Sequence, residues 1–282
     1  MMMCVRAVNL PGLISICVVL CGCAAKAKVE SPSGPDSALV LLGEQSAKGA
    51  ITANDVQPLA LGTETYWHVG EDGQIESSMV LKREPTDRFG ATIAVSDNEG
   101  RTQFLRTDEQ GNVLMTAVIE EGDQAISLFD PPLIIAFSEL AAKTPRTSQS
   151  NMRVVDLKNQ KKQKEAGKAT RTMTYVSDQR VRTPSGEFLT KRIEIHFVAD
   201  LKFADADETT TLFIVPEKGE VAELGAETVT VFGAFGKTVR HTLVLDQAPA
   251  IAATSRPEQQ PPPPPPVPVP VPARSPDAAP QH

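Results

Sequence analysis

The chain has 282 residues, with 35 acidic against 28 basic side chains and a formal net charge of −7. No overall basic surface exists to meet a phosphate backbone, so composition argues against nucleic acid as a partner. All four cysteines, at positions 4, 17, 21 and 23, lie at the amino end; the remainder has no disulfides and must be held by a hydrophobic core.

The chain opens MMMCVRAVNLPGLISICVVLCGC. Arg6 is the only charge before Lys26, and an apolar run from Leu10 to Leu20 follows it, interrupted by Pro11-Gly12. That run is shorter than the about 20 apolar residues a membrane span needs. It has the layout of a signal-peptide core, positive at its start and small-residued at its end. The final residues, Leu20-Cys21-Gly22-Cys23, resemble the lipobox of bacterial lipoproteins: an apolar residue three positions before an obligatory cysteine, and a small residue just before it. The resemblance implies that residues 1–22 are a signal peptide cleaved between Gly22 and Cys23. It also implies a diacylglycerol on the Cys23 sulfur and a further acyl chain, palmitate in type, on the new amino terminus. Each buried acyl CH₂ contributes about 0.8 kcal/mol, and two chains already hold a protein to a bilayer. Ala24, non-acidic and next to the anchor, implies the outer membrane, with the protein facing the periplasm. The competing readings are an ordinary secretory signal with an incidental Cys23, and an uncleaved membrane helix, which the Pro-Gly break opposes.

Residues 23–50, rich in Ala, Ser, Gly and Lys, read as a lipidated flexible tether. Residues 51–247 read as a β-rich domain, about 200 residues long, enough to bury roughly 70% of the unfolded surface. Between 60 and 130, strand-like runs alternate with acid-glycine clusters: EDG at 71, DNEG at 97, DEQGN at 108 and EGD at 121. Their regular spacing predicts a β-meander, with ATIAVS and FLRT flanking one turn and NVLMTAVIE and AISLFD another. The acids read as turn residues that accept local hydrogen bonds. A calcium loop would need oxygens at fixed alternate positions, which none of the clusters supplies.

PPLIIAFSELAAK, 131–143, is the best helix candidate: Pro131 and Pro132 could open it, and Ile134, Phe137, Leu140 and Ala141 follow helical spacing. A buried strand through Leu133 to Phe137 competes. Residues 143–170 read as a polar loop that could join two halves of the domain. Its lysines 158, 161, 162, 164 and 168 could touch anionic lipid. A solvated loop is preferred, because no aromatic or apolar face accompanies the charges.

The second half reads as longer strands. In GEFLTKRIEIHFVADLKF, Ile193, Ile195 and Phe197 share one phase and Arg192, Glu194 and His196 the other, the pattern of a half-buried strand. TTTLFIVPEKG, ETVTVFG and KTVRHTLVLD follow as further strands. Val181, Pro184, Gly186 and Phe188, in VRTPSGEF running into TKRIEI, resemble a V-x-x-P-x-G-x-F hairpin of uncharacterised bacterial envelope proteins and lipoproteins, β-rich families of unknown function. VQPLALGTETYWHV and TLFIVPEKGEVAE resemble other strands of those families. The resemblance implies an antiparallel curved sheet and brings no catalytic residues. The fold class expected is therefore mainly β, an antiparallel curved sheet or half-barrel with at most one or two helices.

From 248 to 282 the chain becomes a proline-rich tail with six consecutive prolines. It should be disordered or polyproline II, reaching on the order of 100 Å when extended. Residues 256–282 could be a PxxP-type ligand for a protein partner or a plain spacer. His68, His196 and His241 sit singly in strand-like segments without metal-ligand spacing, and His282 lies in the tail, so no metal and no cofactor is expected. No nucleophile elbow is present, and GAFGK at 233 lacks phosphate-loop spacing. The leading expectation is a lipid-anchored envelope protein with a non-enzymatic structural or protein-interaction role. The alternatives are a carrier of an acyl chain or other apolar ligand in a curved groove, and a hydrolase.

Overall fold

The computed structural model of the protein describes residues 37–232 and 235–246. Gly22, Cys23, the signal segment and the proline-rich tail lie outside the described residues. In chain order, β1 (Val40–Ser46) and β2 (Ala50–Thr52) lead into a one-turn helix, α1 (Ala53–Val56). Then come β3 (Gly62–Val69), β4 (Ile75–Pro85), a 3₁₀ turn at Arg88–Gly90, β5 (Ile93–Asp97), β6 (Arg101–Thr107), β7 (Val113–Glu120) and β8 (Ala125–Ala136). After a short β9 (Glu139–Ala141) follow β10 (Arg146–Asp156), β11 (Gln163–Thr183), β12 (Gly186–Leu201), β13 (Ala204–Val215), β14 (Gly219–Val231) and β15 (Phe235–Leu245).

Each of β3 to β8 and β10 to β15 pairs antiparallel with its neighbour in the chain, and β15 returns to β3. Twelve strands thus close a barrel, where the sequence suggests an open curved sheet or half-barrel. The hairpins are local and announce themselves. The closing seam is not: it consists of three pairs, Leu243–His68, Val244–Trp67 and Leu245–Tyr66. Asp246 extends it by donating its backbone N–H to Thr65 and accepting the Trp67 indole Nε1–H at 2.7 Å. Closure removes the unpaired edges an open sheet would expose.

The acid-glycine clusters occupy the turns between β3 and β4, β5 and β6, β6 and β7, and β7 and β8. Asp97 accepts the N–H groups of Glu99 and Arg101, and Asp108 that of Asn112. Gly100 and Gly111 take φ values of 95° and 82°, in the left-handed region that glycine enters freely.

Three segments differ from the sequence reading. Residues 131–143 are not helical; they complete β8 and form β9. Leu133, Ile135 and Phe137 supply a period of two beside the helical spacing of Ile134, Phe137 and Leu140, and strands β7 and β10 flank this segment with backbone groups that a helix would leave unpaired. The prolines fall where the β7–β8 register shifts, where a missing N–H is tolerated. Residues 146–156 and 163–183 are β10 and β11, paired along their length, rather than a polar loop. Most of their charged residues, Arg153 and Lys168 among them, occupy the outward phase, while Arg171 takes the inward one. The described part of the presumed tether includes β1, which lies on the edge of β11 and follows a fully buried Leu39.

Much of the inner wall is apolar, with a cluster of buried charged groups among it, and the outer wall is charged. Met152, Val154, Met173, Ile193, Ile195 and Phe197 point inward and are buried. Lys82, Glu84, Arg153, Lys168, His196 and Asp207 point outward and are exposed. This is the reverse of a membrane-spanning barrel, whose outward band must be apolar. Two outward patches are covered by the chain itself. Phe89 packs edge-on against Phe104 over Ala117, Ile119 and Ile126. Beyond the register shift between Tyr175 and Ser177, the β11–β12 hairpin folds toward β15. Ser185 donates to the carbonyls of Leu245 and Asp246 at 2.7 and 2.5 Å, and Leu39, Val181 and Phe188 pack on Phe213, Ala222 and Val244. At the same end, α1 and the β2–β9 pair close the barrel. Thr52 and Asp55 form a capping box on α1, and Asp55 also accepts the Glu217 N–H from the β13–β14 turn.

Candidate functional site

The lumen holds a cavity of ≈110 Å³, lined from every barrel strand except β10 and bounded by Val56, Gln57 and Pro58 at the α1 end. Its wall combines Met115, Ile195, Leu212 and Leu243 with Glu64, Arg83, Asp97, Arg101, Arg171, Glu220 and Glu223. These charged residues occupy the inward phase of their strands, where alternation would place apolar side chains.

Several are paired. Arg83 Nη1 donates to Glu64 Oε2 at 2.7 Å, and the Tyr66 hydroxyl donates to the same oxygen at 3.2 Å. Arg101 Nε lies 3.2 Å from Glu120 Oε1. Thr210 donates its hydroxyl to Glu208 at 2.8 Å. His68 Nε2 and Glu99 Oε1 are 3.0 Å apart. His241 Nε2 and Glu223 Oε1 are 2.7 Å apart. That last contact depends on Gly225, the register partner of His241. A Cβ at Gly225 would lie 1.9 Å from the imidazole, so the absent side chain is what lets the ring lie across β14 to reach Glu223.

Carboxyls outnumber guanidinium groups in this interior and are buried there, so protons fill the deficit. Burial raises Glu120 to about 7 against the pull of Arg101. Burial and then the neighbouring Glu208 raise Glu223 and Glu227 to about 8. Burial also pushes Glu220 well above the usual carboxylate range and raises Asp97. His241 goes the other way, lowered by burial to about 4. At neutral pH the His241–Glu223 contact is thus a hydrogen bond between uncharged groups, not an ion pair. Arg171, half-buried against the cavity, is lowered by burial while Glu208 and Glu223 pull it back up.

The histidines that the sequence singles out do not converge as a hydrolase would need. His68 and His241 face the lumen, whereas His196 is on the outer wall, 3.0 Å from Asp207. Among the described residues no group of three or more His, Cys, Asp or Glu is placed to hold a metal ion. The cavity also falls short of the 300–1,000 Å³ typical of ligand pockets and is rimmed by charge, unlike an acyl-chain groove. Val181, Pro184, Gly186 and Phe188 form the β11–β12 hairpin: Val181 opposes Phe188 and Thr183 opposes Gly186. They serve the clamp over β13–β15 and do not line the lumen.

Sequence reasoning missed the lumenal charges. The available signal was phase: Arg171 precedes Met173 and Tyr175 at two-residue steps, Glu208 precedes Thr210 and Leu212, and His241 precedes Leu243 and Leu245.

No protein-family model matches the chain, and no curated protein matches it in sequence. Two solved structures are similar in outline. One is a candidate lipoprotein from Parabacteroides distasonis ATCC 8503, 10% identical, covering 72% of this chain and 96% of its own, with a TM-score of 0.29. The other is a candidate exported protein with a YmcC-like fold from Bacteroides fragilis NCTC 9343, 11% identical with the same coverages and a TM-score of 0.28. Both overlaps are too loose to carry a function from one chain to another.

Proposed function

We propose that this protein is a lipid-anchored component of a bacterial envelope, held through Cys23 at the outer membrane, facing the periplasm, and acting as a non-enzymatic structural or interaction module. The observation that carries the second half of this reading is the filled, closed barrel. The cavity among its lumenal charged groups is ≈110 Å³, and its charged outer wall faces water. Such a body works from its surface and its chain ends, not by enclosing a substrate. The first half rests on the lipobox-like Leu20–Cys23. The proline-rich residues 256–282 are the segment proposed to reach a protein partner beyond the barrel.

Metabolic labelling with palmitate, followed by fractionation, tests the anchor. The wild-type chain should be labelled and sediment with membranes, and C23S should lose the label and keep residues 1–22 uncleaved. A labelled C23S chain would exclude Cys23 as the attachment point. Cross-linking in intact cells, with and without residues 256–282, tests the tail: an adduct lost on deletion supports a partner, and an unchanged pattern makes the tail a spacer.

A further inference from the structure

The end of the barrel away from α1 gathers residues that are far apart in the chain. The β12–β13 turn carries Lys202 and Phe203, and β14 runs out into Phe232. The two phenyl rings meet with centroids 5.9 Å apart, and Phe232 donates its N–H to the Phe203 carbonyl at 2.9 Å. Both rings are exposed, Phe203 by 43% and Phe232 by 71%. The Lys202 ammonium sits 4.8 Å from the centre of the Phe203 ring. Lys202 also donates its N–H to the Ala166 carbonyl at 3.2 Å, which seats this turn against the start of β11. The turn leading into β11 carries Lys158, Lys161 and Lys162, all exposed.

Acidic groups are present too. Glu121 and Asp123 lie in the β7–β8 turn, and Asp200 and Asp205 on the strands behind Phe203. Asp156 is occupied: it accepts the N–H groups of Lys158 and Asn159 and lies 3.9 Å from Lys164. The tip is therefore of mixed charge: Glu121, Asp200 and Asp205 are exposed alongside Lys158, Lys161, Lys162 and Lys202, and the two phenyl rings stand among them.

An exposed aromatic pair is unfavourable in water and favourable at a bilayer interface, where rings settle among the headgroups. Lysines close to an anionic leaflet each strengthen binding about fivefold. We propose that this end of the barrel is a bilayer-contacting tip, in which Phe203 and Phe232 enter the headgroup region and Lys158, Lys161, Lys162 and Lys202 face anionic lipid. The proposal rests on the Cys23 anchor only for what brings the barrel to a membrane. Cys23 and Ser37 are 14 residue steps apart, at most about 50 Å, so an anchored barrel stays close to its own bilayer.

The test uses the C23S chain from residue 23 to 282, so neither acylation nor the apolar Leu10–Leu20 run plays a part and failure of the anchor cannot be mistaken for failure of the tip. Co-sedimentation with phosphatidylglycerol-containing vesicles is compared with pure phosphatidylcholine vesicles. The C23S chain should bind the anionic vesicles. The lysine variant K158E/K161E/K162E should bind at least about a hundredfold more weakly, and F203S/F232S should lose binding with an unchanged melting temperature, since both rings are exposed. Absence of binding by C23S, or binding that survives either set of substitutions, overturns the proposal.

Discussion

Glu208 and Glu227 stand directly opposite each other in the β13–β14 register, both facing the lumen. Two carboxylates at that separation in a dry interior cannot both ionise cheaply, and Glu227 is accordingly raised to about 8 by burial and then by Glu208. The pair typifies the barrel, whose inner wall holds protons at neutral pH.

That proton load sets a pH dependence. Glu120, Glu223 and Glu227 bind protons in the fold up to about 7, 8 and 8, while in the unfolded chain they release them near 4.5. Between these limits the native state holds the extra protons, so stability falls as pH rises. His241 opposes this below 6.5: it is neutral in the fold down to about 4 but charged when unfolded, so its contribution rises with pH over that interval. Above pH 6.5 the carboxyls act alone. Denaturation midpoints should therefore decline from pH 6.5 to 8. E227Q, which mimics the protonated form, should flatten the decline by up to about 1.4 kcal/mol per pH unit. A midpoint that climbs across this range would contradict the assignment.

Gly225 should not tolerate a side chain. In G225A the new methyl group would overlap the His241 ring, and overpacking of this kind costs about 1–3 kcal/mol. H241A should relieve the G225A penalty in a double-mutant cycle measured by urea unfolding. Additive effects would show that the ring does not lie over Gly225.

The seam between β3 and β15 has three register pairs and one side-chain clasp. W67F removes the indole donor and leaves Asp246 without it. A loss of about 1–3 kcal/mol follows. Faster hydrogen exchange should also be confined at first to Tyr66–His68 and Leu243–Leu245. Exchange that spreads evenly over all strands would mean that the seam is not the weak point.

Leu39 is fully buried beneath the β11–β12 hairpin. L39A should destabilise the barrel by about 2–5 kcal/mol, a penalty no flexible tether would show. A neutral substitution would return this segment to the role of spacer.

Much of the barrel was legible residue by residue. The acid-glycine turns and the phase of Ile193, Ile195 and Phe197 are local features, carried by turn chemistry and two-residue alternation. Closure was not, because Leu243 and His68 meet across most of the chain and no local pattern records their pairing. The helix expected over 131–143 failed because the segment carries apolar residues at both spacings, Ile134, Phe137 and Leu140 for a helix and Leu133, Ile135 and Phe137 for a strand, and only the strands on either side decide between them. Phe203 and Phe232 illustrate the same limit at the surface: each is an isolated aromatic in the sequence, and only the fold sets them side by side near the lysines of the β10–β11 turn.

The most direct measurement for the whole account is the intact mass of the protein extracted from membranes. A chain beginning at Cys23 and carrying diacylglyceryl and acyl mass on that residue is the predicted result. A chain that begins elsewhere, or whose Cys23 carries a free thiol, would contradict the anchoring on which the proposed role at the envelope depends.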